Sequence, residues 1–196
     1  MLNKAPFSEE ITAPPEWVIV AGRFQPFHIG HWHLLQTVAK DLRQNQTLVI
    51  GVISAEQELT TTSMAMIEGA NAHHTPSSNP WPIGIRLRAV AKVSEMIMHS
   101  EPTLEAIYIP LPRPDLHWST IEAWLPGPRL WIIPDVGDSF DNAKADFYAA
   151  QGDSVRRIVG ERLASATSLR QDANLWEARV PEFVRNIYQS WSPSSS

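Results

Sequence analysis

Five short runs of β-forming residues, at 17–21, 48–53, 104–110, 129–134 and 154–160, alternate with stretches of helical spacing along most of the chain. That alternation is the strongest constraint on the fold. A strand, a helix and another strand read as a βαβ unit, and repeated units build a parallel sheet with helices on both faces. The first run, WVIVA, is apolar throughout and reads as a buried strand. In residues 31–43, HWHLLQTVAKDLR, the positions Leu34, Leu35, Val38 and Leu42 fall on one helical face. A second helix is expected over 86–99 with Leu87, Val90, Ala91 and Met98 inward, and a third over 119–125 with Ser119 as its N-cap. A fourth spans 142–152 and closes at Gly152, and two more cover 167–174 and 180–189. The expected fold is α/β, a doubly wound parallel sheet of about five strands, in a single domain with C-terminal helices. Ligands of such sheets bind beyond the carboxyl ends of the strands, near the switch in strand order.

Composition narrows what such a domain handles. A chain of 196 residues suits one domain, read here as residues 17–190, with 1–16 as an arm and 191–196 as a tail. Hydrophobic residues at 43%, charged residues at 19% and a net charge of −5 fit a soluble protein and argue against one that coats nucleic acid. The absence of cysteine excludes disulfides, thiolate catalysis and cysteine-ligated zinc, and fits the cytoplasm. No apolar run follows Lys4, so no secretory leader is expected. No stretch approaches the ~18–20 apolar residues that span a membrane. Neither nucleic acid nor a membrane is therefore an expected partner. A long polar loop runs from Ser54 to about Gly84, and loops of that length in compact domains often serve as functional lids. Sixteen prolines and eight tryptophans read as pinned loops and aromatic anchors.

Directly after the first strand stands GRFQPFHIGH, residues 22–31. Gly30 leaves room for a ligand at the backbone, and a helix starting near His31 offers unpaired N–H groups to an anion. His28 and His31, three apart at a helix entry, can aim at one anion as hydrogen-bond donors. Arg23 adds a bidentate clamp for phosphate oxygens. The short His-x-x-His spacing taken alone also suits an ordinary loop, and a two-histidine metal site would need further ligands.

The ten-residue run closely resembles the first signature of the HxGH nucleotidyltransferase superfamily. It is similar in particular to the GRFQPxHxGH loop of archaeal-type nicotinamide mononucleotide (NMN) adenylyltransferases. NPWPIGIR (79–86) is similar to that family's NPxxxGER, SATSLR (165–170) to its late SGTxIR motif, and WSTIEAWL (118–125) to a WxxxVExL segment. Class I aminoacyl-tRNA synthetases also carry HIGH, but they are much longer and have a KMSKS-type loop, which this chain lacks. The resemblance implies a Rossmann-like sheet and a reaction in which an acceptor phosphate attacks the α-phosphorus of a nucleoside triphosphate and pyrophosphate leaves. It assigns the catalytic roles to His28, His31, Arg23 and Arg170. The nucleotide site would comprise Gly22, Arg23, Phe24, Gln25, His28, Gly30, His31, Thr167, Ser168 and Arg170, and the acceptor site Asn79, Trp81, Arg86 and Trp118. Trp118 matches a family tryptophan that stacks on nicotinamide, with core packing as the other reading. Mg2+ is expected to arrive bound through the triphosphate, with no protein ligand named. The pair His73–His74 reads as solvated. Relatives of this family are often homo-oligomers, a state the tryptophans would suit.

The departures from the pattern lie on the acceptor side. Ile85 replaces an acidic residue and Ala166 a glycine. After the fourth strand, PDVGDSFDN stands where the NMN enzymes have a small SGN-like turn. Carboxylates there would repel a phosphate acceptor unless they face an amide, an amine or a metal. Three functions follow: an NMN adenylyltransferase making NAD from ATP; the same chemistry with CTP and a small phosphonate or phosphate acceptor; or a nucleotide-binding module without turnover.

Overall fold

The computed structural model describes residues 16–54, 66–160 and 166–191. The arm (1–16) and the tail (191–196) therefore fall almost wholly outside the described residues, as does the middle of the 54–84 loop. The element order is β1 (Trp17–Gly22), α1 (Ile29–Asp41), β2 (Thr47–Ile53), α2 (Ala70–His73), α3 (Ile83–Ser100), β3 (Glu105–Leu111), α4 (Trp118–Trp124), β4 (Arg129–Asp135), α5 (Ser139–Ala150), β5 (Ser154–Val159), α6 (Ala166–Gln171), α7 (Ala173–Arg179) and α8 (Glu182–Gln189). All five expected strands are present, and they pair in parallel in the order β3-β2-β1-β4-β5. The order reverses between β1 and β4, so the crevice of a doubly wound sheet opens beyond Gly22 and Asp135.

Alternation along the strands divides the core in two. Val18 and Val20 join Leu48, Ile50, Val52 and Ile132 on one face, packed against Leu35 and Val38 of α1, Val90 and Val93 of α3, and Val184 of α8. Ile19 points to the other face with Val49, Trp131 and Ile133, covered by Ile121 of α4 and Ala145, Phe147 and Tyr148 of α5. Interior β2 is buried at every position, while edge strands β3 and β5 are half-exposed. No helix among the described residues is long and apolar enough to cross a membrane.

Several helix bounds differ from the sequence reading, each through a cap. Ser119 lies inside α4, whose N-cap is His117. Helix α5 starts at Ser139, before the expected 142, because the Asp138 side chain accepts from Phe140 N at 2.9 Å. The expected helix 167–174 is two helices. Asp172 breaks it by capping α7, accepting from Asn174 N at 2.9 Å and Leu175 N at 3.2 Å. The inward stripe of α3 is Arg86, Ala89, Val90, Val93, Ser94 and Ile97; Leu87, Ala91 and Met98 flank it half-buried. The stripe is rotated because Arg86 turns inward, which apolar periodicity does not anticipate.

Candidate active site

The loop after β1 is fixed by its own side chains before any ligand is considered. His28 is the N-cap of α1, and its Nδ1 accepts from Gly30 N at 3.1 Å. His31 Nδ1 reaches back to accept from His28 N at 3.2 Å. The two histidines thus form a reciprocal capping box. An imidazole whose Nδ1 accepts carries its proton on Nε2, so each ring has one N–H left to donate. The rings stack with centroids 3.8 Å apart. Burial holds His28 down at about 4. Burial also lowers His31 well below the usual imidazole value, helped by the nearby His28, Lys144 and Arg23. Both are neutral donors near pH 7, at a helix start whose first turn has no acidic residue.

Their neighbours hold this geometry. Phe24 sits at φ 50, a left-handed conformation rare for a side chain of its size, and its buried ring meets His31 edge-on at 4.9 Å. Gly22 allows that ring to close, since a Cβ there would lie 3.2 Å from it. Tyr188 of α8 donates to Phe24 O at 2.7 Å and accepts from Phe27 N at 3.3 Å. Gln25, buried, pairs both ends of its amide with the backbone of Trp81 at 2.8 and 3.1 Å. Arg170 Nη1 donates to Gln25 O at 2.6 Å, tying α6 to the same loop.

A cavity of about 590 Å³ opens over this loop, at the switch point of the sheet. Of the residues named from sequence for the nucleotide, Gly22, Arg23, Phe24, Gln25, His28, Gly30, His31 and Thr167 line it together. Arg170 and Ser168 do not; Arg170 supports the loop from behind, and Ser168 is exposed. Arg23 lines the cavity while its Nη1 donates to His73 O at 2.6 Å and Ser78 O at 3.4 Å. Burial, then the charges of Arg170 and Arg86, lower it to about 10, still protonated at neutral pH.

None of the four residues expected to read the acceptor lines the cavity. Asn79 closes a turn by donating to His73 O and Thr75 O at 3.0 and 2.8 Å. Trp81 packs against Trp176 and Tyr188. Arg86 is fully buried and donates to the carbonyls of Trp81, Arg23 and Ile53 at 3.0, 2.9 and 2.7 Å. Trp118 packs on Trp131, Phe147 and Tyr148, and the cation over its ring is Arg129, 5.3 Å from the centroid.

His73 and His74 are not solvated as expected. His74 is buried against the cavity, its Nδ1 has no partner among the described residues, and burial pushes it down to about 3. His73 stacks on Phe140 at 4.3 Å. Asp141, one of the three carboxylates noted on the acceptor side, lines the cavity from α5 together with Phe140 and Lys144, which the sequence had not singled out. Their signal was present in PDVGDSFDNAK, where Asp141 and Lys144 stand at helical i,i+3 spacing. The three carboxylates of that stretch are each engaged. Asp135 pairs with Arg157 at 2.9 Å, Asp138 caps α5, and Asp141 pairs with Lys144 at 2.5 Å.

The sheet, its switch-point cavity and the paired-imidazole helix start define an α/β protein built to hold an anionic ligand. A family model described as cytidylyltransferase-like matches residues 19–162, most of the sheet together with this loop, and the chain belongs to that family of nucleotidyltransferases. The chain is also similar to a nicotinamide-nucleotide adenylyltransferase of Thermoplasma volcanium, 48% identical over 42 residues, which is 21% of this chain and 22% of that protein. Among solved structures it is similar to a NadR protein in complex with NR, with a TM-score of 0.46 and 15% identity. That alignment covers 85% of this chain and 44% of the other, so the chain spans less than half the length of either relative in these matches.

Proposed function

We propose that the protein transfers a nucleoside monophosphate from a nucleoside triphosphate to a phosphate-bearing acceptor and releases pyrophosphate. An acceptor oxygen forms a bond to the α-phosphorus, and the bond from that phosphorus to the bridging oxygen of pyrophosphate breaks, the leaving group taking the electron pair. The acceptor oxygen is already anionic near pH 7, so the step needs charge stabilisation and in-line positioning more than a strong base. The observation that carries this reading is the pair of neutral imidazoles, each fixed by its Nδ1 with Nε2–H left to donate, at the start of α1. Donors fixed in advance cost little reorganisation when charge develops. Arg23 supplies positive charge on the same cavity wall, Thr167 lines it from α6, and Arg170 holds both Thr167 and the loop at Gln25. Magnesium enters as part of the substrate, bound to triphosphate oxygens and water.

The leading reading is an NMN adenylyltransferase-like enzyme, ATP and NMN giving NAD. The second reading keeps the step and uses CTP with a small phosphonate or phosphate acceptor. It is favoured by the structural engagement of Asn79, Trp81, Arg86 and Trp118 away from the cavity. Pyrophosphate release is the test, with magnesium and each nucleoside triphosphate, with and without NMN or 2-aminoethylphosphonate. NAD formation supports the first reading, and release only with CTP and the phosphonate supports the second. Nucleotide binding with no transfer to either acceptor would favour a binding module and count against both.

A further inference from the structure

The cavity wall formed by α5 carries a charged pair that the transfer step does not use. Asp141 and Lys144 lie one turn apart and meet at 2.5 Å, with side chains only 11% and 17% exposed, and both line the cavity. Lys144 Nζ also stands 5.1 Å from the centre of the Phe140 ring, which stacks on His73. Lys144 is near enough to His31 for its charge to help keep that imidazole neutral. An exposed i,i+3 pair contributes a few tenths of a kcal/mol and needs no further role. A pair withdrawn into a ligand cavity has surrendered hydration that its mutual attraction only partly offsets.

We infer that Lys144 and Asp141 read the acceptor, and that the acceptor is a zwitterion: a phosphate or phosphonate met by Lys144, joined to a cationic nitrogen group met by Asp141. This rests on the nucleotidyl-transfer reading above. In-line attack beside His28 and His31 brings the acceptor phosphate close to Lys144. As Lys144 turns to it, Asp141 loses its partner inside the cavity, and a bare carboxylate beside a phosphate dianion is repelled by it. A nitrogen cation on the acceptor supplies the missing partner. Asp138, which also lines the cavity and whose charge is felt at His73, adds to the same negative end. A purely anionic acceptor leaves Asp141 unpaired. NMN, with its pyridinium ring and carboxamide, and 2-aminoethylphosphonate, with its ammonium, both belong to the favoured class; glycerol 3-phosphate does not.

The test is calorimetric titration of these three compounds into protein saturated with magnesium and the non-transferable α,β-methylene analogue of ATP or CTP. It reads binding, so lack of turnover with the natural triphosphates counts against the transfer reading alone. At least one zwitterion should bind ~10-fold or more tightly than glycerol 3-phosphate, and Lys144→Met and Asp141→Asn should each erase that preference. Affinity for the nucleotide analogue should change less than ~3-fold. The double variant Asp141→Lys/Lys144→Asp keeps an ion pair and should keep the melting temperature, yet its zwitterion binding should stay lost. Equal binding of glycerol 3-phosphate, binding of neither zwitterion, or wild-type affinity in the charge-swapped variant would overturn the proposal.

Discussion

At the scale of single residues, His28 is bound to the Gly30 N–H and His31 to the His28 N–H before either meets a substrate. Each spends Nδ1 on an N–H of the loop and keeps Nε2–H, so neither can turn without uncapping α1. Replacing His31 with alanine removes a cap and a donor together. Turnover should fall ~100-fold or more, the usual loss for a charge-stabilising donor. Steady-state assays with the active acceptor check this, and near-wild-type turnover would remove His31 from the role given to it. The histidines were legible in sequence because glycine, proline and two imidazoles after an apolar strand are a local signal. The acceptor residues were not. Asn79, Trp81 and Arg86 stand around the end of the 54–84 stretch in sequence, but Asn79 and Arg86 spend their side chains on backbone carbonyls and the Trp81 backbone pairs with the Gln25 side chain, partners that only the folded chain supplies. Lys144 escaped notice for the opposite reason, since nothing local separates a lysine on a cavity wall from one on a solvated helix face.

At the scale of elements, α3 holds the active loop through one buried cation. Arg86 joins carbonyls from β2, from the loop after β1 and from the turn before its own helix, at 2.7 to 3.0 Å. Arg86→Ala would strand those carbonyls and should cost about 3 kcal/mol or more in urea unfolding. Arg86→Lys should recover only part of this, because one ammonium cannot span three sites that the planar fork reaches. Gly51 in β2 is a second tight point. A Cβ there would lie 2.1 Å from Leu111 Cδ1, and Leu111 is fully buried. Gly51→Ala should destabilise by about 1–3 kcal/mol by overpacking, read from the same unfolding curves. The strands were predictable because each is a short run of β-forming residues, apolar in β1 and β2 and mixed with arginine at the β5 edge. The helix ends were less so: Asp138 and Asp172 act as caps only once the backbone has bent to meet them.

At the scale of the whole molecule, burial of imidazoles couples stability to pH. His28 and His74 are held at about 4 and about 3, and His31 well below the usual value, all chiefly by burial. The unfolded chain then binds more protons than the folded one below about pH 6.5, so the folded state loses stability as pH falls. The contribution is intact above pH 6.5 and is lost toward pH 4, by about 1.4 kcal/mol per pH unit for each histidine that titrates only on unfolding. Urea midpoints between pH 7 and 4.5 should show this slope, and His74→Asn should flatten it by roughly one proton; an unchanged slope would contradict the burial of His74. The sheet order makes these groups neighbours, since its reversal between β1 and β4 brings the loop after β1 to face α5 across one cavity. The step proposed for this cavity is transfer of the α-phosphate of a nucleoside triphosphate. The most direct measurement follows label from α-32P and γ-32P triphosphates during incubation with magnesium and NMN or 2-aminoethylphosphonate. The α-label should enter the acceptor product and the γ-label pyrophosphate, and neither transfer should occur in His31→Ala. Release of γ-label as inorganic phosphate, or α-label that never enters either acceptor, would contradict that step.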